Sequence, residues 1–314
     1  MKYAVLIVAL AGATIAAAGN QPQFKSGVEV VYLDVTVQAP DGSIVRGLTK
    51  NDFLVYDENT QQEVAVFSDE PAPISVGVLI DTSGSMTGER IAAAIRAAGA
   101  LGRSLKPTDL WSISTFDSMR RTMIGWRPYE ERIINSLRAM PTSGGTELFR
   151  SVADMVPFIR DTPHRKRAML VMTDGADNSI ISAARQGLRV SGRGDVFEAN
   201  GLDDPTRKAQ EALREGEVLL YALGLNVASR AGAIHVPSLQ RLAEPTGGTV
   251  VVASTMREVE EAAQRVAEEL RQQYTLGFYP TDTTGTRFHS VRVTTRHPDH
   301  RVRTRAGYLP GSRK

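Results

Sequence analysis

From Val28 to Val37 apolar and polar residues alternate, the period-two pattern of a half-buried strand, and Asp41-Gly42 marks a turn before a short apolar pair at Ile44-Val45. A second hairpin is predicted where residues 53–56 and 64–67 flank the polar turn Asp57-Glu58-Asn59-Thr60. At Ile74 the rhythm changes. Continuous apolar runs at 76–80, within a strand over 74–80, and at 168–173 and 218–223 predict strands buried on both faces, and 110–116 and 249–253 read as further strands. Between them, apolar positions recur at helical spacing in 88–105, 130–140, 147–160 and 255–273, and 119–125 reads as an edge strand. Thr255 with Glu258 forms a capping-box pattern at the start of the last helix. After Gln273 alternation returns in 274–279, 288–294 and 302–308, between turns bearing Gly and Pro.

Alternating strands and helices predict an α/β fold, a doubly wound, mostly parallel, Rossmann-like sheet. Neither β-rich flank makes a comfortable core alone, so the two are expected to pair into one β-sandwich with the α/β domain inserted between them. Pro71 and Pro73 punctuate the first boundary. The expected organisation is a signal peptide over 1–18, an N-terminal flank over 19–70, the α/β domain over 71–273 and a C-terminal flank over 274–314. The leader reading rests on Met1-Lys2-Tyr3, an apolar run over 4–18 and Ala16-Ala17-Ala18 before Gly19. That run is shorter than the about 20 apolar residues of a spanning helix, so export without a stable membrane anchor is expected, to the periplasm or the cell surface.

Composition narrows the classes. With 42% apolar and 23% charged residues the chain reads as globular, and a net charge of +2 gives no sign of a nucleic-acid partner. It has no cysteine, which removes disulfides, thiol chemistry and lipid attachment through sulfur.

The candidate chemistry lies at the ends of two apolar runs. The run at 76–80 leads into Asp81-Thr82-Ser83-Gly84-Ser85, and the run at 168–173 leads into Asp174-Gly175. In an open α/β sheet these are ligand positions. Ser143-Gly144-Gly145-Thr146, just before a helical pattern, adds a third oxygen-bearing segment. Asp81, Ser83, Ser85, Thr146 and Asp174 are an all-oxygen set without His or Cys, which suits Mg²⁺, Mn²⁺ or Ca²⁺ better than zinc or copper. Only two of the five are anionic, so a bound divalent ion would remain a Lewis acid open to a further carboxylate.

This pattern resembles the metal-ion-dependent adhesion site of the von Willebrand factor type A domain, Asp-x-Ser-x-Ser followed by a distant Thr and a distant Asp. The resemblance covers residues 72–273. It implies that the serines, and with ligand bound the threonine, touch the metal, that the acids often act through water, and that a partner's carboxylate takes the vacant position. Both flanks look like those of an acidobacterial family of related proteins: Gly47-Leu48, Asp52-Phe53, Val55 and Phe67 at one end, Tyr274, Leu276, Gly277, Tyr279-Pro280 and Gly307-Tyr308 at the other. That family implies no established enzymatic activity.

The expected function is therefore an exported, metal-dependent protein-binding module for adhesion or assembly, not an enzyme, whose partner presents an acidic residue. Two alternatives remain open at this point. The metal is only a structural staple, or the site is a metal-dependent phosphoester hydrolase. The hydrolase is disfavoured because Ser83 stands where aspartyl-phosphate hydrolases place a second Asp, and because no phosphate-loop, nucleophile-elbow or His-Glu-x-x-His motif is present. Oligomeric state is not legible. The long connection over 176–204 is read either as a loop overhanging the metal or as an insertion without function. Arg193-Gly194-Asp195 within it and His297-Pro298-Asp299-His300 are weak motifs, and Trp111 and Trp126 are expected to pack rather than to bind.

Overall fold

The computed structural model describes residues 30–175, 177–178, 205–227, 234–282 and 287–310. The expected leader, the Arg193-Gly194-Asp195 motif and nearly all of the 176–204 connection lie outside them. Among the described residues no helix is long and apolar enough to cross a membrane.

The first strands are β1 (Val31–Gln38), β2 (Phe53–Asp57), β3 (Thr60–Gln62) and β4 (Val66–Ser68). The α/β region follows with β5 (Ile74–Asp81), α1 (Glu89–Ser104), β6 (Leu110–Phe116), β7 (Arg120–Arg127), α2 (Glu131–Leu137), α3 (Leu148–Arg160) and β8 (Lys166–Thr173). It continues through α4 (Pro205–Gly216), β9 (Leu219–Leu225), α5 (Val236–Ala243), β10 (Val250–Ala253) and α6 (Met256–Gln272). The chain then returns to strands β11 (Tyr274–Phe278), β12 (His289–Thr295), β13 (Arg301–Arg303) and β14 (Gly307–Tyr308).

β5 to β10 form one six-stranded sheet in the order β10-β9-β8-β5-β6-β7, parallel except for the edge strand β7. The apolar runs are continuous because helices cover both faces: every residue of β5 is buried. Ile74, Val76, Val78 and Ile80 face α1, α2 and α6, and Leu79 faces the cluster built by α3, α4 and α5. Gly77 lies under α3, where a Cβ would stand 2.5 Å from Met155 Cε and 2.8 Å from Ile159 Cδ1, so a side chain here requires those two side chains to repack. The chain runs from β5 to β6 on one side and later to β8 on the other. The strand order therefore reverses at β5, and a crevice opens at the carboxyl ends of β5 and β8.

The flanks form two four-stranded antiparallel sheets, β13-β1-β11-β4 and β14-β12-β2-β3, each mixing strands from both chain ends. Leu33, Val35, Val55, Leu276, Phe278 and Val293 belong to one apolar cluster shared by both sheets. Several expectations are corrected here. The hairpin after β2 closes on polar β3 through the two-residue turn Glu58-Asn59, both at positive φ, and not on 64–67. β4 instead pairs with β11 in the other sheet. Ile44 makes only an isolated bridge to Gln38. The run at 302–308 divides into β13 and β14, one in each sheet. Two helices, α4 and α5, were not anticipated.

The flank sheets meet the six-stranded sheet at the amino ends of its strands, through buried polar contacts. Glu269 of α6 accepts hydrogen bonds from Tyr221 (2.7 Å), Thr36 of β1 (3.2 Å) and Arg303 of β13 (2.5 Å). Arg165 pairs with Asp34 at 2.8 Å, and Lys166, almost fully buried, donates Nζ to the Leu270 carbonyl at the end of α6. Gly247, at φ +88°, brings two backbones together: a Cβ there would fall 2.7 Å from the Thr304 carbonyl carbon.

Candidate functional site

Each predicted residue sits where the sheet delivers it. Asp81 ends β5, and Ser83 and Ser85 follow in the turn before α1. Thr146 lies in the loop before α3, and Asp174 follows the last residue of β8. The loops are stapled by backbone bonds: Ser143 N–H donates to the Thr82 carbonyl (2.8 Å), and Gly84 N–H to the Gly144 carbonyl (3.1 Å). Asn178 N–H donates to the Thr146 carbonyl at 2.8 Å, which ties the segment after β8 to the same cluster.

Four of the five residues join in one chain of contacts. Ser83 N–H donates to Asp81 Oδ1 (2.8 Å), the hydroxyls of Ser83 and Ser85 lie 3.2 Å apart, and Ser85 Oγ donates to Asp174 Oδ1 (2.9 Å). Thr146 is buried beside them, but its hydroxyl makes no hydrogen bond to the other four; only its loop backbone brings it there.

Asp81 is fully buried, and burial pushes its carboxyl up to about 6, against the hydrogen bonds from Thr173 and Ser83 that favour the charged form. Its neighbours are hydroxyls, an amide and a second carboxylate. Among the described residues no cation pairs with it. A buried, under-neutralised carboxylate next to two hydroxyls fits a hard divalent cation by the chemistry of its donors. No group of three or more His, Cys, Asp or Glu among the described residues is arranged to hold a metal, and this set does not require one, because three of its five members are hydroxyls. The motif at 297–300 gives a stacked pair of rings, His297 on His300 at 4.7 Å, and no third ligand.

Three contributors were not identified from sequence. Thr173 donates to Asp81 Oδ2 at 2.6 Å. Asp177, nearly fully buried, accepts from Phe149 N–H at the start of α3. Arg90 donates to Asp174 Oδ2 at 2.5 Å and to the Ser85 carbonyl at 2.9 Å. Arg90 carries a legible signal: a cation in the first turn of a helix opposes the helix dipole and calls for a nearby anion.

With this geometry in hand, comparison gives a definite match for one stretch. Residues 76–176 match the family model of the von Willebrand factor type A domain. The match runs from β5 to just beyond β8 and contains all five candidate residues. Solved structures similar to the chain include a von Willebrand factor type A protein from Catenulispora acidiphila, at 12% identity and TM-score 0.49 over 88% of this chain and 74% of that one. Another is the von Willebrand domain of the type V pili tip protein Mfa5 from Porphyromonas gingivalis, at 12% identity and TM-score 0.48 over 63% and 95%. A third is proximal thread matrix protein 1 of the mussel byssus, described with a zinc-occupied adhesion site, at 12% and TM-score 0.47 over 68% and 48%. No curated protein matches the chain.

Proposed function

We propose that the chain is an exported protein-binding module of adhesion or assembly type, in which Asp81, Ser83, Ser85, Thr146 and Asp174 hold a divalent cation and an acidic residue of a protein partner completes its coordination. In this reading residues 1–18 are a signal peptide, 71–273 the von Willebrand A-like domain, and 19–70 with 274–314 a single β-sandwich carrying it. Mg²⁺, Mn²⁺ and Ca²⁺ all suit the donors. The hydrogen-bonded row Asp81–Ser83–Ser85–Asp174 at the sheet's switch point carries the proposal, because it gathers oxygens from two separate loops around one buried, under-neutralised acid.

A bound cation would supply a Lewis-acidic point for a carboxylate. This chain's own residues do the rest. Asp81 anchors the turn through Ser83 N–H, and Thr173 orients Asp81. The backbone bonds of Gly84 and Ser143 keep the Thr146 loop against the turn. The hydroxyls of Ser85 and Thr173 donate to Asp174 and Asp81, whose carboxylates belong to the same proposed cation site, which favours binding over turnover in this reading.

Calorimetric titration with Mg²⁺ and Mn²⁺ on wild type and Asp81→Ala tests the metal: saturable binding that Asp81→Ala abolishes is expected. Capture of partners from periplasmic or surface extract, with Mg²⁺ and with chelator, tests the interface. Capture that survives chelation while the melting temperature drops would reduce the cation to a staple.

A further inference from the structure

Arg90 is the second residue of α1, where the helix dipole disfavours a cation, yet its side chain is only 14% exposed. Asp174 holds it there, with Nη1 donating to Oδ2 at 2.5 Å. Nη1 also reaches the Ser85 carbonyl, and Nε the Val227 carbonyl at 3.4 Å. The other oxygen of the same carboxylate, Oδ1, accepts the Ser85 hydroxyl. The two oxygens of Asp174 are thus divided: Oδ2 belongs to the guanidinium and Oδ1 to the row of hydroxyls. Asp81 has no such counter-ion among the described residues.

We infer that Arg90 is a positioning residue of the metal centre, a step that rests on the metal reading above: it turns Asp174 Oδ1 toward Ser83 and Ser85 and cancels one of the two negative charges around them. Within the hydrogen-bonded row, with Asp81 and Asp174 at −1 each and Arg90 at +1, a divalent cation meets one net negative charge. The loaded row therefore keeps an excess of positive charge that favours an incoming anion. Arg90 lowers affinity for the metal and raises affinity for a carboxylate on it. It is the residue that biases the site away from a closed structural ion and toward an interface.

The test uses Mn²⁺ alone, then acetate as the carboxylate probe, followed by paramagnetic relaxation of its methyl protons. Arg90→Gln is expected to bind Mn²⁺ at least about tenfold more tightly, tenfold being the water-screened lower limit for a unit charge a few ångströms from a divalent ion. Acetate should bind the loaded Arg90→Gln protein several-fold more weakly, and Arg90→Lys should stay near wild type in both. A merely structural role moves both affinities down together. That result, unchanged Mn²⁺ affinity in Arg90→Gln, or Arg90→Lys behaving as Arg90→Gln overturns the inference. A second readout on wild type does not depend on the variants folding: the Arg90 Nε–H resonance should shift saturably with Mg²⁺, and no shift at a magnesium concentration that calorimetry shows to be saturating also overturns it. Absence of any divalent binding by wild type removes the metal reading itself, and this is seen before any variant is made.

Discussion

The two ends of the six-stranded sheet use the same functional groups to opposite effect. At the amino end each buried or half-buried acid has its own cation: Asp34 has Arg165, Asp109 has Arg271 at 3.1 Å, and Glu269 has Arg303. Backbone donors and hydroxyls fill the remaining lone pairs: Ile74 and Lys106 N–H reach Asp109, and Thr36 and Tyr221 reach Glu269. At the carboxyl end Arg90 pairs with Asp174 alone, and Asp81, as deeply buried as Asp109, has no cation among the described residues. Burial therefore does not distinguish the acids of the seam from those of the candidate site. The count of opposing charges does.

Breaking the amino end should cost most. Glu269→Ala strands Arg303 and Tyr221 in the seam and is expected to lower unfolding free energy by about 3 kcal/mol in urea. Divalent affinity should stay within about twofold, because additivity holds for sites this far apart. Filling the carboxyl end should come next: Mg²⁺ at about a hundred times its dissociation constant should add about 2.7 kcal/mol, read as a rise in melting temperature that chelator reverses.

The pH response sharpens the contrast further. A carboxyl raised in the folded state binds its proton more tightly there, so its penalty is absent below about pH 4, grows between pH 4 and 6, and is complete above pH 6. In chelator at pH 8, Asp81→Asn should therefore stabilise the protein by about 2 kcal/mol, and the gain should fade as pH falls from 6 to 4. The same protein should lose its divalent affinity. The smallest effect expected is that of Thr173→Val, which deletes one hydrogen bond to Asp81 and should cost about 1 kcal/mol. It should also extend the pH window of Asp81 above 6, seen as a shifted midpoint in the pH dependence of melting.

Much of the α/β part was legible because its signals are strong and local. Leu110 and Phe116 bound β6 as expected, and the capping residue Thr255 opens α6, its hydroxyl accepting from Glu258 N–H at 3.2 Å. Helix α4 escaped because it shows the core little beyond Ala209 and Leu213, one turn apart, while the rest of Pro205–Gly216 is mostly polar. The β2–β3 hairpin was misread for a related reason. Val64 and Val66 look like a strand partner, but the positive-φ turn at Glu58-Asn59 closes at once, and of the two only Val66 joins a strand, β4, in the other sheet. At the site, spacing alone brought forward Asp81, Ser83, Ser85, Thr146 and Asp174. It could hint that Arg90, in the first turn of a helix, wants an anion, but it could not show that the anion is Asp174, which only the fold places against it. Nor could it show which oxygen of Asp81 Thr173 serves.

The α/β region leaves the flank sheets from β4 and rejoins them at β11, two strands that lie side by side with Ser68 opposite Thr275. On the far side of β11, β1 runs antiparallel to it, with Val31 opposite Phe278. A pull applied between Val31 and the loops beyond Asp81 would therefore act along the β1–β11 ladder, so that its rungs must fail together and not one after another. A partner held at the crevice, as proposed, would in this way load the mount in shear.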